Sequence, residues 1–153
     1  MVVGHFRVNL GSYQKVIDQM GVGPKGDVQK FYTQNILRRI VKYMPYRSGA
    51  TIKATQVQSN NTEIRSMGPH VQMLYFGKVM IDPKINAAGF QLPDGQWRSR
   101  KGSHKVVTNR DLQYTRTHNP LAGPFWDRRL MAAEGSQIVS ETQDYINRKV
   151  VKL

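Results

Sequence analysis

Apolar residues recur along the chain with two different spacings, and the change between them outlines the elements. Val28, Tyr32, Ile36, Ile40 and Tyr43 fall three or four residues apart, which places them on one stripe of a helix. Pro24 suits the first turn of that helix and Pro45 stops it, so a helix is predicted over residues 24–44, with Lys30, Arg38 and Lys42 on its other side. Toward the C-terminus Ile138, Val139, Thr142, Tyr145 and Ile146 make a second stripe. Ahead of it, Phe125, Trp126, Leu130, Ala132 and Ala133 are apolar nearly all round, which predicts burial. A second long helix is expected over residues 124–148, weakened at Gly135 by about 1 kcal/mol relative to alanine and open to a kink there.

Between the two helices the period shortens. Ile52, Ala54, Val57 and Ile64, with Asn60-Asn61 between them, predict a hairpin of two short strands within residues 50–66. Pro69 restarts a short helix that turns Val71, Leu74 and Tyr75 one way and ends at Gly77. Pro93-Asp94-Gly95, set between Phe90-Gln91-Leu92 and Gln96-Trp97-Arg98, is a turn signal and predicts a projecting β-hairpin arm within residues 80–107. Another strand is expected over residues 105–108. At the N-terminus a strand over residues 5–10 and a short helix capped by Ser12 lead to the Gly21-Val22-Gly23-Pro24 break. The class expected is α+β: a small antiparallel sheet packed with two longer helices, in a single domain over residues 1–153.

Length and composition sharpen this picture. A chain of 153 residues buries about two-thirds of its unfolded surface, enough for a core without staples. It has no cysteine, which excludes a disulfide scaffold, a thiolate metal site, a cysteine nucleophile and a thiol redox role. No stretch approaches the roughly 18 apolar residues of a membrane span, and His5 and Arg7 interrupt any signal-like apolar run. The expectation is a soluble intracellular protein without membrane contact.

Charge adds the first functional hint. Lys and Arg number 23 against 10 Asp and Glu, a net charge of +13, so acidic partners are favoured. The excess sits in the middle of the chain. Between Asp27 and Glu63 there is no acid, while Lys30, Arg38, Arg39, Lys42, Arg47 and Lys53 fall in the gap. From Lys84 to Arg116 only Asp94 and Asp111 oppose Arg98, Arg100, Lys101, Lys105 and Arg110. Such stretches track phosphates or match acidic protein neighbours, unless they are simply solvated faces. Trp97 among these cations suits a stacking platform for a base or an anchor at a protein interface.

Motifs for chemistry are weak. Gly21-Val22-Gly23-Pro24-Lys25-Gly26 fits the spacing of a dinucleotide fingerprint, but residues 13–20 read as helix rather than strand, Pro24 lacks an N–H, and no acid stands about 20 residues on. An inter-helix linker is the expected role. His5, His70, His104 and His118 are scattered without a carboxylate at zinc-site spacing. His104, Asn109 and His118 evoke a His-Asn-His nuclease, yet residues 120–124 intervene where a helix should follow at once. The acids stand singly, which argues against a two-metal site, and no Gly-x-Ser-x-Gly elbow occurs. No enzymatic activity, cofactor or metal is expected.

Three segments together resemble a known family. They are Lys42-Tyr43-Met44-Pro45-Tyr46-Arg47-Ser48-Gly49; Gly68-Pro69-His70 with Tyr75-Phe76-Gly77-Lys78-Val79-Met80; and Asn119-Pro120-Leu121-Ala122-Gly123-Pro124-Phe125-Trp126-Asp127 with Arg129, Met131 and Ala132. The chain is similar over about residues 28–147 to the minor capsid protein family of long-tailed phages infecting Gram-positive bacteria, akin to tail-completion and head-tail joining proteins. It departs from the family pattern at Arg47-Ser48-Gly49-Ala50, and the hairpin around Pro93-Asp94-Gly95 looks like a variable insertion.

The resemblance implies a non-enzymatic virion component, a ring of the neck between portal and tail tube, made in the host cytoplasm. Its implied partners are further copies of the chain, portal-side or tail proteins, and packaged double-stranded DNA. Identical copies exchanging arms through head-to-tail contacts would close such a ring. Phe125 and Trp126 are expected in the core. The expected partner or DNA contacts are Arg38, Lys42, Leu92, Trp97, Arg98, Arg100, Lys101 and Lys105. The rival expectations are a sequence-nonspecific DNA-binding protein using the basic middle of the chain, and a metal-dependent nuclease using His104 and His118.

Overall fold

The computed structural model of the chain describes residues 17–68 and 70–150. The strand expected over residues 5–10, the Ser12 cap and Pro69 lie outside the described residues. Residues 17–20 are helical. After them come helix α1 (Asp27–Ile40), helix α2 (Ala50–Lys53), strands β1 (Thr55–Val57) and β2 (Ile64–Ser66), helix α3 (Val71–Phe76), and strands β3 (Lys78–Ile81), β4 (Phe90–Gln91), β5 (Trp97–Arg98) and β6 (Val106–Asp111). Helix α4 (Trp126–Val150) closes the series. The class is α+β, with small antiparallel ladders and a long C-terminal helix packed on α1. The strands form three two-stranded ladders, β1 with β2, β3 with β6 and β4 with β5, rather than one sheet. Among the described residues no helix is long and apolar enough to cross a membrane.

The chain divides into two compact units. Among the described residues, the first comprises 17–39, 56–65 and 131–150. In it α1 begins at Asp27 rather than Pro24, because the glycine-rich segment turns back before the helix starts. Gly21 has φ +68° and Lys25 φ +68°, and the Gly21 carbonyl accepts from the amides of Val28 (3.0 Å) and Gln29 (3.3 Å). These are N–H groups that a helix start otherwise leaves open. Gly26 has to be glycine here, since a Cβ would stand 2.1 Å from the Gly21 oxygen.

Val28 and Ile138 are buried, and the rings of Phe31 and Tyr145 stack with centroids 4.4 Å apart and planes inclined by 8°. Beside them Arg39 reaches Glu134 and, at 2.6 Å, Glu141. Buried Asn35 donates to Glu141 (2.6 Å) and accepts from Arg38 and Arg39 at 3.0 Å each. Hydrogen bonds from Asn35 first and then Arg39 hold the Glu141 carboxyl below the usual carboxylate range against the opposing effect of burial.

This network corrects the expected faces of the last helix. Val139, Ala132 and Ala133 are exposed. The inward sector instead takes Ile138 with Glu134 and Glu141, which Arg39 draws toward α1.

The second unit comprises residues 40–55 and 66–130. Its buried apolar side chains are Ile40, Tyr43, Met44, Ala122, Trp126 and Leu130. The expected continuation of α1 to residue 44 tightens into a turn, with Tyr43 N–H on the Ile40 carbonyl at 2.9 Å. The expected strand start at residue 50 is the short helix α2, set up by Gly49 at φ +75°. The Tyr46 ring closes on Gly49 so tightly that a Cβ there would lie 3.2 Å from it. Helix α3 ends as expected at Gly77, φ +70°.

Strand β3 pairs with β6 in the register Lys78↔Asp111, Met80↔Val107 and Ile81↔Val106, with a bulge between Lys78 and Met80. The last helix starts at Trp126 and not at 124, because Phe125 takes the left-handed φ of +49°. Trp126 is buried as expected and Phe125 is half-buried.

Candidate interaction site

Three segments singled out in the sequence, over residues 42–49, 75–80 and 119–127, meet in the second unit. Asn119 donates its amide N–H groups to the carbonyls of Val41 (2.8 Å) and Met44 (2.9 Å). The Gly123 amide donates to the Tyr43 carbonyl (3.2 Å) and the Phe125 amide to the Tyr75 carbonyl (2.9 Å). The Tyr75 hydroxyl donates to Asp127 at 2.7 Å, and its ring lies edge-on to Phe125 and Trp126 at 5.3 and 5.0 Å. Burial, then the bond to Asp127, pushes the Tyr75 phenol upward, so it stays a donor at neutral pH. The Arg129 guanidinium stands 5.7 Å over the Tyr43 ring, with Nη1 buried and without a hydrogen-bond partner among the described residues. A cation held by a ring face in this way is satisfied electrostatically rather than by an acceptor. These side chains bond main chain or stack on one another, so the segments hold each other as a joint.

The hairpin β4–β5 forms as expected, with Phe90 opposite Arg98 and Gln91 opposite Trp97. Gly95 at φ +82° makes the tip, and Asp94 accepts from the Gln96 amide at 3.0 Å. Trp97 is 60% exposed and Phe90 is also exposed. At the hairpin base Arg100 grips Asp82, with Nε to Oδ2 at 2.8 Å and Nη2 to Oδ1 at 3.3 Å. The Asp82 side chain is 2% exposed, and its Oδ1 also accepts from the Lys84 amide at 2.9 Å. The bond from Arg100 first, then that from Lys84, holds its carboxyl below the usual range.

The expected contact residues therefore separate. Trp97, Arg98 and Lys105 line one groove. Lys101 is exposed in the turn beyond Arg100, and Leu92 is half-buried beside the hairpin tip. Arg100 is committed to Asp82. Lys42 is exposed beside the Tyr43 ring, 5.9 Å from its centroid, and Arg38 belongs to the first unit, bonded to Asn35. Residues absent from the expected set join the groove: Arg47, His70, Met73 and Leu74. Of these, Arg47 alone carries a sign in the sequence, since it lies in the acid-free gap.

Two rival sites lose their geometry. The Val28 and Gln29 amides at the glycine-rich segment are taken by Gly21, so they are not free to cradle a phosphate. His118 packs against the Tyr46 ring at 4.6 Å, and among the described residues no three His, Asp or Glu side chains come together as metal ligands. No family model matches the chain, and no similar curated protein or solved structure is found.

Proposed function

We propose that the chain is a structural protein of a tailed-phage virion, part of the neck that joins head to tail, acting by assembly rather than catalysis. The observation that carries this reading is the convergence of the three resemblance segments on one joint, Asn119 with Val41 and Met44, Gly123 with Tyr43, and Phe125 with Tyr75. The residues that carry the resemblance thus depend on each other in space. Large apolar side chains left on the surface of the same unit, Phe90, Trp97, Val106 and Val107, support an assembling component.

A nonsense codon at Tyr43 in a phage carrying this reading frame tests the proposal. DNA-filled heads and separate tails should accumulate under the electron microscope, and wild-type protein supplied in trans should restore joining. Normal joined virions would overturn it. The second reading, sequence-nonspecific DNA binding, is favoured by Arg98, Lys101 and Lys105, none of which has a carboxylate at ion-pairing distance among the described residues. It requires duplex affinity that falls steeply with salt.

A further inference from the structure

The second unit carries a groove of about 440 Å³ in which apolar wall and charged rim are both present. Met73, Leu74 and Trp97 supply apolar surface, Arg47, Arg98 and Lys105 supply positive charge, and no carboxylate lines it. None of the three cations has a carboxylate at ion-pairing distance elsewhere among the described residues. The trough is bordered by a second, smaller groove of about 350 Å³ that shares His70, Met73, Ser99 and Lys105 with it.

We propose that this trough binds an acidic, amphipathic peptide segment of a different protein, an extended stretch in which carboxylates alternate with large apolar side chains. The charge argument selects the sign: arginine forks donate paired hydrogen bonds to carboxylates, and three unanswered cations gain most from them. A second copy of the chain, itself at +13, is repelled from this rim. The apolar wall selects the hydrocarbon. Met73 and Leu74 gain by losing water only if the ligand brings apolar surface, which the outside of a nucleic-acid duplex does not offer, and a space of this volume admits side chains rather than a duplex. Trp97, 60% exposed beside the cations, is the kind of aromatic that anchors a protein interface. The inference stands on the trough alone and does not depend on the neck reading.

Fluorescence anisotropy of the full chain with a fluorescein-labelled peptide tests it, the probe being about eight residues of aspartate alternating with leucine and phenylalanine. Binding is expected, with acrylamide quenching of Trp97 reduced in the complex. The double reversal Arg47→Glu with Arg98→Glu should weaken binding at least about tenfold, and Trp97→Ala should weaken it independently. Lys30→Glu, exposed on the first unit, should change it less than about twofold. Four results would each overturn the proposal: no binding; equal binding of the peptide with asparagine in place of aspartate; equal weakening by Lys30→Glu, which marks unspecific attraction; or tighter binding of a DNA duplex with the same loss in the double reversal, which makes the trough a nucleic-acid contact.

Discussion

The side-chain amide of Asn119 donates to the main-chain carbonyl of Met44 at 2.9 Å, and the same nitrogen reaches the Val41 carbonyl at 2.8 Å. One side chain therefore ties down the turn that follows α1 through two of its main-chain acceptors. Asn119→Ala should lower the stability of the fold by about 1–3 kcal/mol, read from the urea midpoint. Asn119→Asp should cost more, because a carboxylate of the same size would face two carbonyls with no proton to give. An aspartate variant as stable as the wild type would show that the joint does not need a donor.

Ile138 and Val139 are neighbours on α4 with opposite fates, one fully buried and the other exposed. Ile138→Ala should cost about 2–5 kcal/mol in chemical denaturation through lost burial and the cavity left behind. Val139→Ala should stay within about 0.5 kcal/mol. Equal losses at the two positions would mean that the helix is rotated from the face described.

The backbone at the start of α1 leaves no room at Gly26, where a Cβ would stand 2.1 Å from the Gly21 oxygen. Gly26→Ala should force the turn apart and release the Val28 and Gln29 amides, at a cost above about 2 kcal/mol. Hydrogen exchange at those two amides is the sensitive measurement. Continued protection would show that the turn survives with a side chain in it.

Acid should weaken the fold through Asp82. Its carboxyl titrates below the usual range because Arg100 and the Lys84 amide bond its ionised form. A group whose folded pKa is depressed stabilises fully above its unfolded value, about pH 4, and loses that contribution as the pH falls through the lower folded value. Glu141 and Asp27, also held low, act with the same sign. Asp82→Asn should therefore show a shallower fall of melting temperature on acidification below pH 4 than the wild type. Parallel curves would remove Asp82 from the acid response.

Much of the architecture was legible in local pattern. Pro24, Pro45 and the stripe from Val28 to Tyr43 bracketed α1, Gly77 ended α3, and Pro93-Asp94-Gly95 marked the hairpin tip. The helix ends were not, since they are decided at a distance: Gly21 closes on Val28, and Phe125 enters α4 with a left-handed backbone while its amide bonds Tyr75. Counting apolar residues placed Val139 inside because the pull of Arg39 on Glu134 and Glu141 crosses about a hundred residues of sequence and leaves no periodic trace. The site divides likewise. Trp97, Arg98 and Lys105 could be read from a basic hairpin, whereas Met73 and Leu74 reach the same groove from α3 only through the fold. Arg100 looked as free as Arg98 until buried Asp82, 18 residues earlier, claimed it.

The strands of the described residues pair only two by two, so each keeps one hydrogen-bonding side without a strand beside it. The net charge of +13 opposes the close approach of two copies of the chain. The reach of that repulsion is set by electrolyte, about 10 Å in 0.1 M salt and about 3 Å in 1 M. Dilute buffer therefore lets two molecules feel each other's charge at several times the distance that concentrated salt allows.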